Sequence, residues 1–179
     1  RVIVARNYGC SLLIAGGAFT TIGDLPAALA ETPVAFLALR LKARDGAELA
    51  RNFYWLSAKR DVLDPPASQW FVTPNRAYAD FTALRALPAA EVTMTQAAGP
   101  AGGERRIRVT LDNGSPGVAF LLELKVVSEA TGEVVLPVEW DDNYVSLLPG
   151  ERREIAVTLR GRAAAVADPV VRLSGWNVR

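Results

Sequence analysis

Apolar residues recur at every second position through much of this chain, the period of strands that bury one face. The alternation is cleanest in the second half. Glu91 to Ala97 alternates around Val92 and Met94. Arg105 to Leu111 places Ile107, Val109 and Leu111 on one face and Arg106 and Arg108 on the other. Val118 to Val127 is a long apolar run, followed by Val134 to Trp140 and Tyr144 to Leu148. Arg153 to Leu159 alternates around Ile155, Val157 and Leu159, and Val170 to Val178 closes the series. Between these runs lie turn signals: Asp112-Asn113-Gly114-Ser115-Pro116-Gly117, Ala130 to Glu133, and Pro149-Gly150. About seven strands in ~90 residues, with turns every ~8–12 residues, is the spacing of an immunoglobulin-like β-sandwich. The Cys…Trp…Cys pattern of antibody domains is absent, so the likeness is one of architecture.

The chain before Leu87 reads differently. Val34 to Ala43 and Glu48 to Ser57 flank an Asp45-Gly46 turn, which predicts a β-hairpin. In its second strand Phe53 and Trp55 point one way and Tyr54 the other, so both faces are expected to be covered. Trp55 and Trp176 are expected in the core, whereas Trp70 and Trp140 have acidic or turn-rich neighbours that place them near a surface. Asp61 to Pro74 is rich in Pro and Asp and reads as an irregular connection, with Trp70 and Phe71 anchoring it to a hydrophobic surface. Helix is scarce: Pro26 to Glu31 is the best candidate, and a short turn is expected between Thr82 and Leu87. Near the start, Ser11 to Ala15 reads as a strand followed by a Gly16-Gly17 turn. The competing reading of that region is a weak secretory signal pattern after Arg1 and Arg6. No apolar run reaches the ~18–20 residues that span a bilayer. Pro88 marks a domain boundary, so the predicted division is a partial β domain with linker over 1–87 and a complete sandwich over 88–179.

Composition narrows the chemistry. Half of the 179 residues are hydrophobic and 22% are charged, which is a globular balance. A formal net charge of +1 argues against nucleic acid or an anionic membrane as the main partner. The chain has no histidine, which excludes a Ser-His-Asp triad, a Cys-His pair and any His-ligated metal site. The single cysteine, Cys10, cannot form an intramolecular disulfide. Without histidine to activate it, it reads as a small buried hydrophobe. The glycine pairs Gly16-Gly17 and Gly102-Gly103 form no phosphate-binding loop. No cofactor is expected.

Several segments together carry a family resemblance. Asn52-Phe53-Tyr54-Trp55-Leu56-Ser57 with Asp61-Val62-Leu63-Asp64 resembles the end of the immunoglobulin-like domain that follows the catalytic barrel in exo-β-D-glucosaminidases of glycoside hydrolase family 2. Their β-mannosidase-like relatives have a looser version. Tyr78-Ala79-Asp80-Phe81-Thr82-Ala83-Leu84 with Leu87-Pro88 resembles the linker after it. Leu136 to Glu151, LPVEWDDNYVSLLPGE, and Val170 to Val178, VVRLSGWNV, resemble the last immunoglobulin-like domain. The resemblance covers roughly Val34 to Arg179. It implies an all-β chain, one complete carboxy-terminal sandwich plus part of a preceding one. It also implies a parent glycosidase that acts on chitosan-type β-1,4-glucosamine oligosaccharides, with β-mannosides second, and that is exported to reach such a polymer. The family's two catalytic glutamates stand on a (β/α)-barrel of ~200 residues or more, which has no counterpart here. The implied role is therefore non-catalytic. The implied partners are the barrel and amino-terminal domains of the parent enzyme, together with carbohydrate.

Three groups remain as candidates. Glu139 and Asp141 would share a strand face, ~6–7 Å apart at Cβ. Retaining hydrolysis needs ~5–5.5 Å between carboxyl groups, but no cleft is evident around them. The preferred reading is a solvated strand end running into an Asx-type turn from Asp141 to Asn143. Asp141, Asp142 and Asn143 also offer the hard oxygen ligands that suit Ca²⁺. Trp70 and Trp140, if exposed, could stack on sugar rings. A free carbohydrate-binding module or a protein-interaction module is the alternative to a glycosidase accessory domain.

Overall fold

The structure, a computed structural model, describes residues 32–100 and 103–179. The expected strand at Ser11 to Ala15, the Gly16-Gly17 turn, the helix at Pro26 to Glu31, Cys10 and Gly102 lie outside the described residues. The chain divides into two compact units, one ending at Ala86 and one beginning at Leu87.

In the first unit β1 (Val34–Lys42) and β2 (Glu48–Ser57) form an antiparallel hairpin, with Val34 opposite Ser57. Gly46 takes φ +90° in its turn, a conformation that an L side chain resists. The Asp45 carboxylate accepts the Ala47 N–H at 3.0 Å. β3 (Val62–Leu63) pairs with β4 (Asn75–Ala77), so the expected irregular stretch is a small second ribbon around a short 3-10 turn at Pro65–Ala67. Polar pairing holds the connection that follows. The Ser57 hydroxyl accepts from the Asp80 N–H at 3.1 Å and donates to the Asp80 carbonyl at 2.9 Å. The Asp61 carboxylate accepts the Ala79 N–H at 2.8 Å. Asp80 then caps the 3-10 turn Thr82–Ala86 by accepting from the Thr82 N–H and hydroxyl.

Two expectations need correction here. Trp55 is 40% exposed rather than core, and Tyr54 on the opposite face is exposed as well. A two-stranded ribbon offers little shelter of its own, and Ala35 is the sole buried residue on the hairpin. Trp70 and Phe71 do not lie on a hydrophobic surface of the described residues; they form the exposed tip of a turn.

The second unit is a sandwich of two antiparallel sheets. One runs β5 (Val92–Ala98), β6 (Glu104–Asn113), β10 (Arg152–Arg160), β8 (Val138–Trp140). The other runs β11 (Pro169–Ser174), β7 (Ala119–Ser128), β9 (Val145–Leu147). Four strands on three is the immunoglobulin-like arrangement. Ile107, Val109 and Leu111 from β6, Ile155, Val157 and Leu159 from β10, and Leu122, Leu124 and Val126 from β7 meet in a core that excludes water almost completely. The polar residues between them face outward, as period 2 requires. β7 carries a bulge: Ala119 pairs with Leu147 and Leu122 with Val145. Leu121, at φ +48°, turns its N–H to the Ser146 hydroxyl at 3.1 Å.

Two strands are shorter than expected. β8 begins at Val138 because Pro137, which has no N–H, precedes it; Val134 makes only an isolated bridge with Val127. β11 ends at Ser174. Gly175 follows, where a Cβ would stand 2.8 Å from Val178 and 3.0 Å from Leu122. Beyond it the chain leaves the ladder, so Trp176 is 53% exposed instead of core and lies edge-on over the buried Phe120 ring.

Candidate functional site

The acidic cluster lies where β8 ends, and every carboxylate in it has a guanidinium partner. Glu139 accepts two bonds from Arg160, at 2.8 and 2.6 Å, and Arg160 also reaches Glu104 at 3.0 Å. Glu104 and Glu139 hold the Arg160 guanidinium above its ordinary pKa, Glu104 by its hydrogen bond first. Asp141 pairs with Arg106 at 3.0 Å, and Asp142 with Arg153. Asp142 also accepts the N–H of Asn143. The ladder register explains the grouping, because Glu139 lies opposite Thr158, which lies opposite Arg106. This is a solvated, self-neutralised sheet face of exposed pairs worth about 0–1 kcal/mol each. Asn143 turns its amide to the backbone of Leu124, accepting its N–H and donating to its carbonyl, both at 2.9 Å. Among the described residues, no group of three or more Asp, Glu, Cys or His side chains is placed to hold a metal ion.

The two candidate tryptophans part company. Trp140 is half-buried, opposite Val157, and packs against the sandwich core. Trp70 is 95% exposed, with Phe71 beside it at 73%. Their ring centroids are 4.0 Å apart and their planes are inclined by 59°.

A second polar cluster carried no signal in the sequence. On β7, Glu123 accepts from the Tyr144 hydroxyl at 2.7 Å, from Lys125 at 2.9 Å and from the Ser174 hydroxyl at 3.2 Å. The Lys125 and then the Tyr144 hydrogen bonds hold the Glu123 carboxyl below its usual range, and Glu123 in turn pushes the Tyr144 hydroxyl and the Lys125 ammonium up. Period 2 alone puts Glu123 and Lys125 on one face; only strand pairing brings Ser174 opposite Glu123.

The family described as "Exo-beta-D-glucosaminidase Ig-fold domain" matches residues 70–178. The chain belongs to this family. The matched stretch takes in the sandwich with its arginine-paired carboxylates, and it begins at Trp70 in the first unit. The exo-β-D-glucosaminidase of Amycolatopsis orientalis is 45% identical over 136 residues, covering 74% of this chain and 13% of that protein. The enzyme of the same name from Arthroderma benhamiae is 44% identical over 145 residues, covering 81% of this chain and 16% of its own length. A mannosylglycoprotein endo-β-mannosidase of Lilium longiflorum is 38% identical over 78 residues, 40% of this chain and 8% of that protein. The crystal structure of the Amycolatopsis orientalis exo-chitosanase CsxA superposes with a TM-score of 0.76 at 40% identity, over 82% of this chain and 18% of that one. The chain thus spans less than a fifth of the length of these relatives.

Proposed function

We propose that this Ig-fold chain is a non-catalytic portion of an exo-β-D-glucosaminidase. It packs on the catalytic barrel and acts with it on chitosan-type β-1,4-glucosamine oligosaccharides. Residues 1–87 form the partial preceding domain with its linker, and 88–179 the carboxy-terminal sandwich. The observation that carries the reading is the state of its acids. Glu139, Asp141 and Asp142 are each held by an arginine on an open sheet face, an arrangement unlike the acid and nucleophile that flank a bound sugar in a retaining site. The test is turnover of a chromogenic β-D-glucosaminide. The chain alone is expected to be inactive, and the native polypeptide detected with an antibody to this chain is expected to be several times heavier than 19.2 kDa and active. Turnover by the chain alone, abolished by Glu139→Gln or Asp141→Asn, would refute the reading.

A second reading, a free carbohydrate-binding module, is favoured by the exposure of Trp70. It requires chito-oligosaccharides to quench the tryptophan emission of the chain at millimolar sugar or below.

A further inference from the structure

We propose that Trp70 and Phe71 are an anchor that seats in an uncharged, apolar pocket of another domain of the same glycosidase polypeptide. This rests on the reading above, that the chain is one portion of a larger enzyme, and names the side chains that hold the portions together.

The first observation is conformational. Gln69 and Val72 exchange both backbone hydrogen bonds, each at 3.0 Å, around the two-residue loop Trp70-Phe71. Trp70 alone of the pair has positive φ, at +53°. That is the pattern of a type II′ turn, whose first central position calls for glycine. A bulky aromatic there is strained, and among the described residues only the neighbouring Phe71 ring packs on it, the Trp70 ring being 95% exposed. Such strain at an exposed position points to a use for the side chain outside the described residues.

The second observation is preorganisation. Below the tip the Ser68 and Thr73 hydroxyls bond each other at 2.9 Å, and the Asp64 N–H reaches the Pro74 carbonyl at 2.9 Å. Pro65, Pro66 and Pro74 stiffen both arms. The hairpin therefore loses little freedom when it docks.

The third observation is chemical. From Pro65 to Pro74 no side chain carries a charge, although Asp61, Asp64 and Arg76 flank the stretch. Contact centres between proteins are depleted in charge and enriched in Trp and Phe. A sugar platform calls for a flat ring with free polar groups beside it. Here the two rings are inclined by 59° into a wedge, and the nearest hydroxyls are occupied with each other. The occupant is taken to be the rest of the polypeptide because the match covers only 18% of the exo-chitosanase chain. A tethered partner is held at high effective concentration, so a contact of two rings suffices.

The experiment compares Trp70→Ala/Phe71→Ala and Trp70→Gly in the full-length glycosidase and in this chain alone. In the full-length protein both variants should lower the Tm by at least about 2 °C and speed protease cleavage between Asp61 and Asp80. In this chain alone the double variant should leave the Tm unchanged, and Trp70→Gly should raise it by relieving the positive φ. An equal shift in both proteins, or none in the full-length one, overturns the anchor. So does quenching of this chain by chito-oligosaccharides that Trp70→Ala abolishes, which would make the tip a sugar site. Activity of the full-length protein reports separately on the parent-enzyme reading, so a silent Tm in an active glucosaminidase overturns the anchor alone.

Discussion

The side chain of Asn143 stands in for a strand neighbour of Leu124. Its Oδ1 accepts the Leu124 N–H and its Nδ2 donates to the Leu124 carbonyl, both at 2.9 Å. β9 begins at Val145, so β7 would otherwise present an unpaired peptide at this point. One amide satisfies both groups and the exposed edge is shortened. Gln96 does the same for Val171 on β11, accepting its N–H at 2.7 Å and donating to its carbonyl at 3.4 Å.

Asn143→Ala removes both bonds at once. A part-buried peptide left without partners costs about 1–3 kcal/mol, so urea unfolding of the variant should show a stability loss in that range with an unchanged m value. Asn143→Asp should be worse than Asn143→Ala, because a carboxylate oxygen would face the Leu124 carbonyl.

Asn113 is the deeper case. It is fully buried at the end of β6, donates to the carbonyls of Gly117, Leu147 and Leu148, and accepts the Ser115 N–H. Asn113→Leu fills the space but orphans these groups. The expected loss is about 3 kcal/mol or more, read as a fall in the thermal midpoint. A loss under ~1 kcal/mol would mean that water replaces the amide.

Core and surface should separate by size of effect. Leu122→Ala opens a cavity where the two sheets meet and should cost about 2–5 kcal/mol. Arg160→Ala, which breaks exposed pairs with Glu104 and Glu139, should cost no more than about 1 kcal/mol, less still at high salt. Chemical denaturation of the two variants side by side checks the ranking.

The Glu123 cluster gives a pH signature. Its carboxyl is lowered from 4.5 in the folded chain. It therefore stabilises the fold above that value and loses the contribution as pH falls below it. Tyr144 is raised from 10.0, so its contribution is present below that pH and is lost as pH rises beyond it. Glu123→Gln should flatten stability on both limbs, whereas Tyr144→Phe should flatten chiefly the alkaline one. Midpoints measured from pH 3 to 5 and above pH 10 decide this; unchanged slopes in both variants would remove the cluster from the account.

Much of the sandwich was legible before any coordinates. Ile107, Val109 and Leu111, and likewise Ile155, Val157 and Leu159, announce a buried face because side chains on a strand alternate whatever lies around them. Asp45-Gly46 announces its hairpin for an equally local reason, since glycine accepts the φ of +90° that the turn requires. The Trp70 tip was not legible. Pro-rich sequence marks a connection and puts Trp70 near a surface, but an aromatic at a glycine position runs against local preference. The core assignments of Trp55 and Trp176 failed for a related reason, whereas Trp70 lies at the surface as its turn-rich neighbours suggested. The same residue type caps Phe120 from outside at Trp176 and packs against the core at Trp140, and only the surrounding layers distinguish the two.

By itself, the sequence determined where the long strands of the sandwich and the Asp45-Gly46 hairpin lie, which face of each long strand in the sandwich is apolar, and that imidazole chemistry is absent. These follow from bond geometry, side-chain period and composition. Only the tertiary structure decided which arginine neutralises which acid, that Asn143 and Gln96 close the strand edges, that Glu123 meets Tyr144 and Ser174, and that Trp70 and Phe71 form the tip of a turn instead of anchoring the connection. Those relationships join residues far apart in the chain, and they come into being only when one strand is laid against another in a particular register.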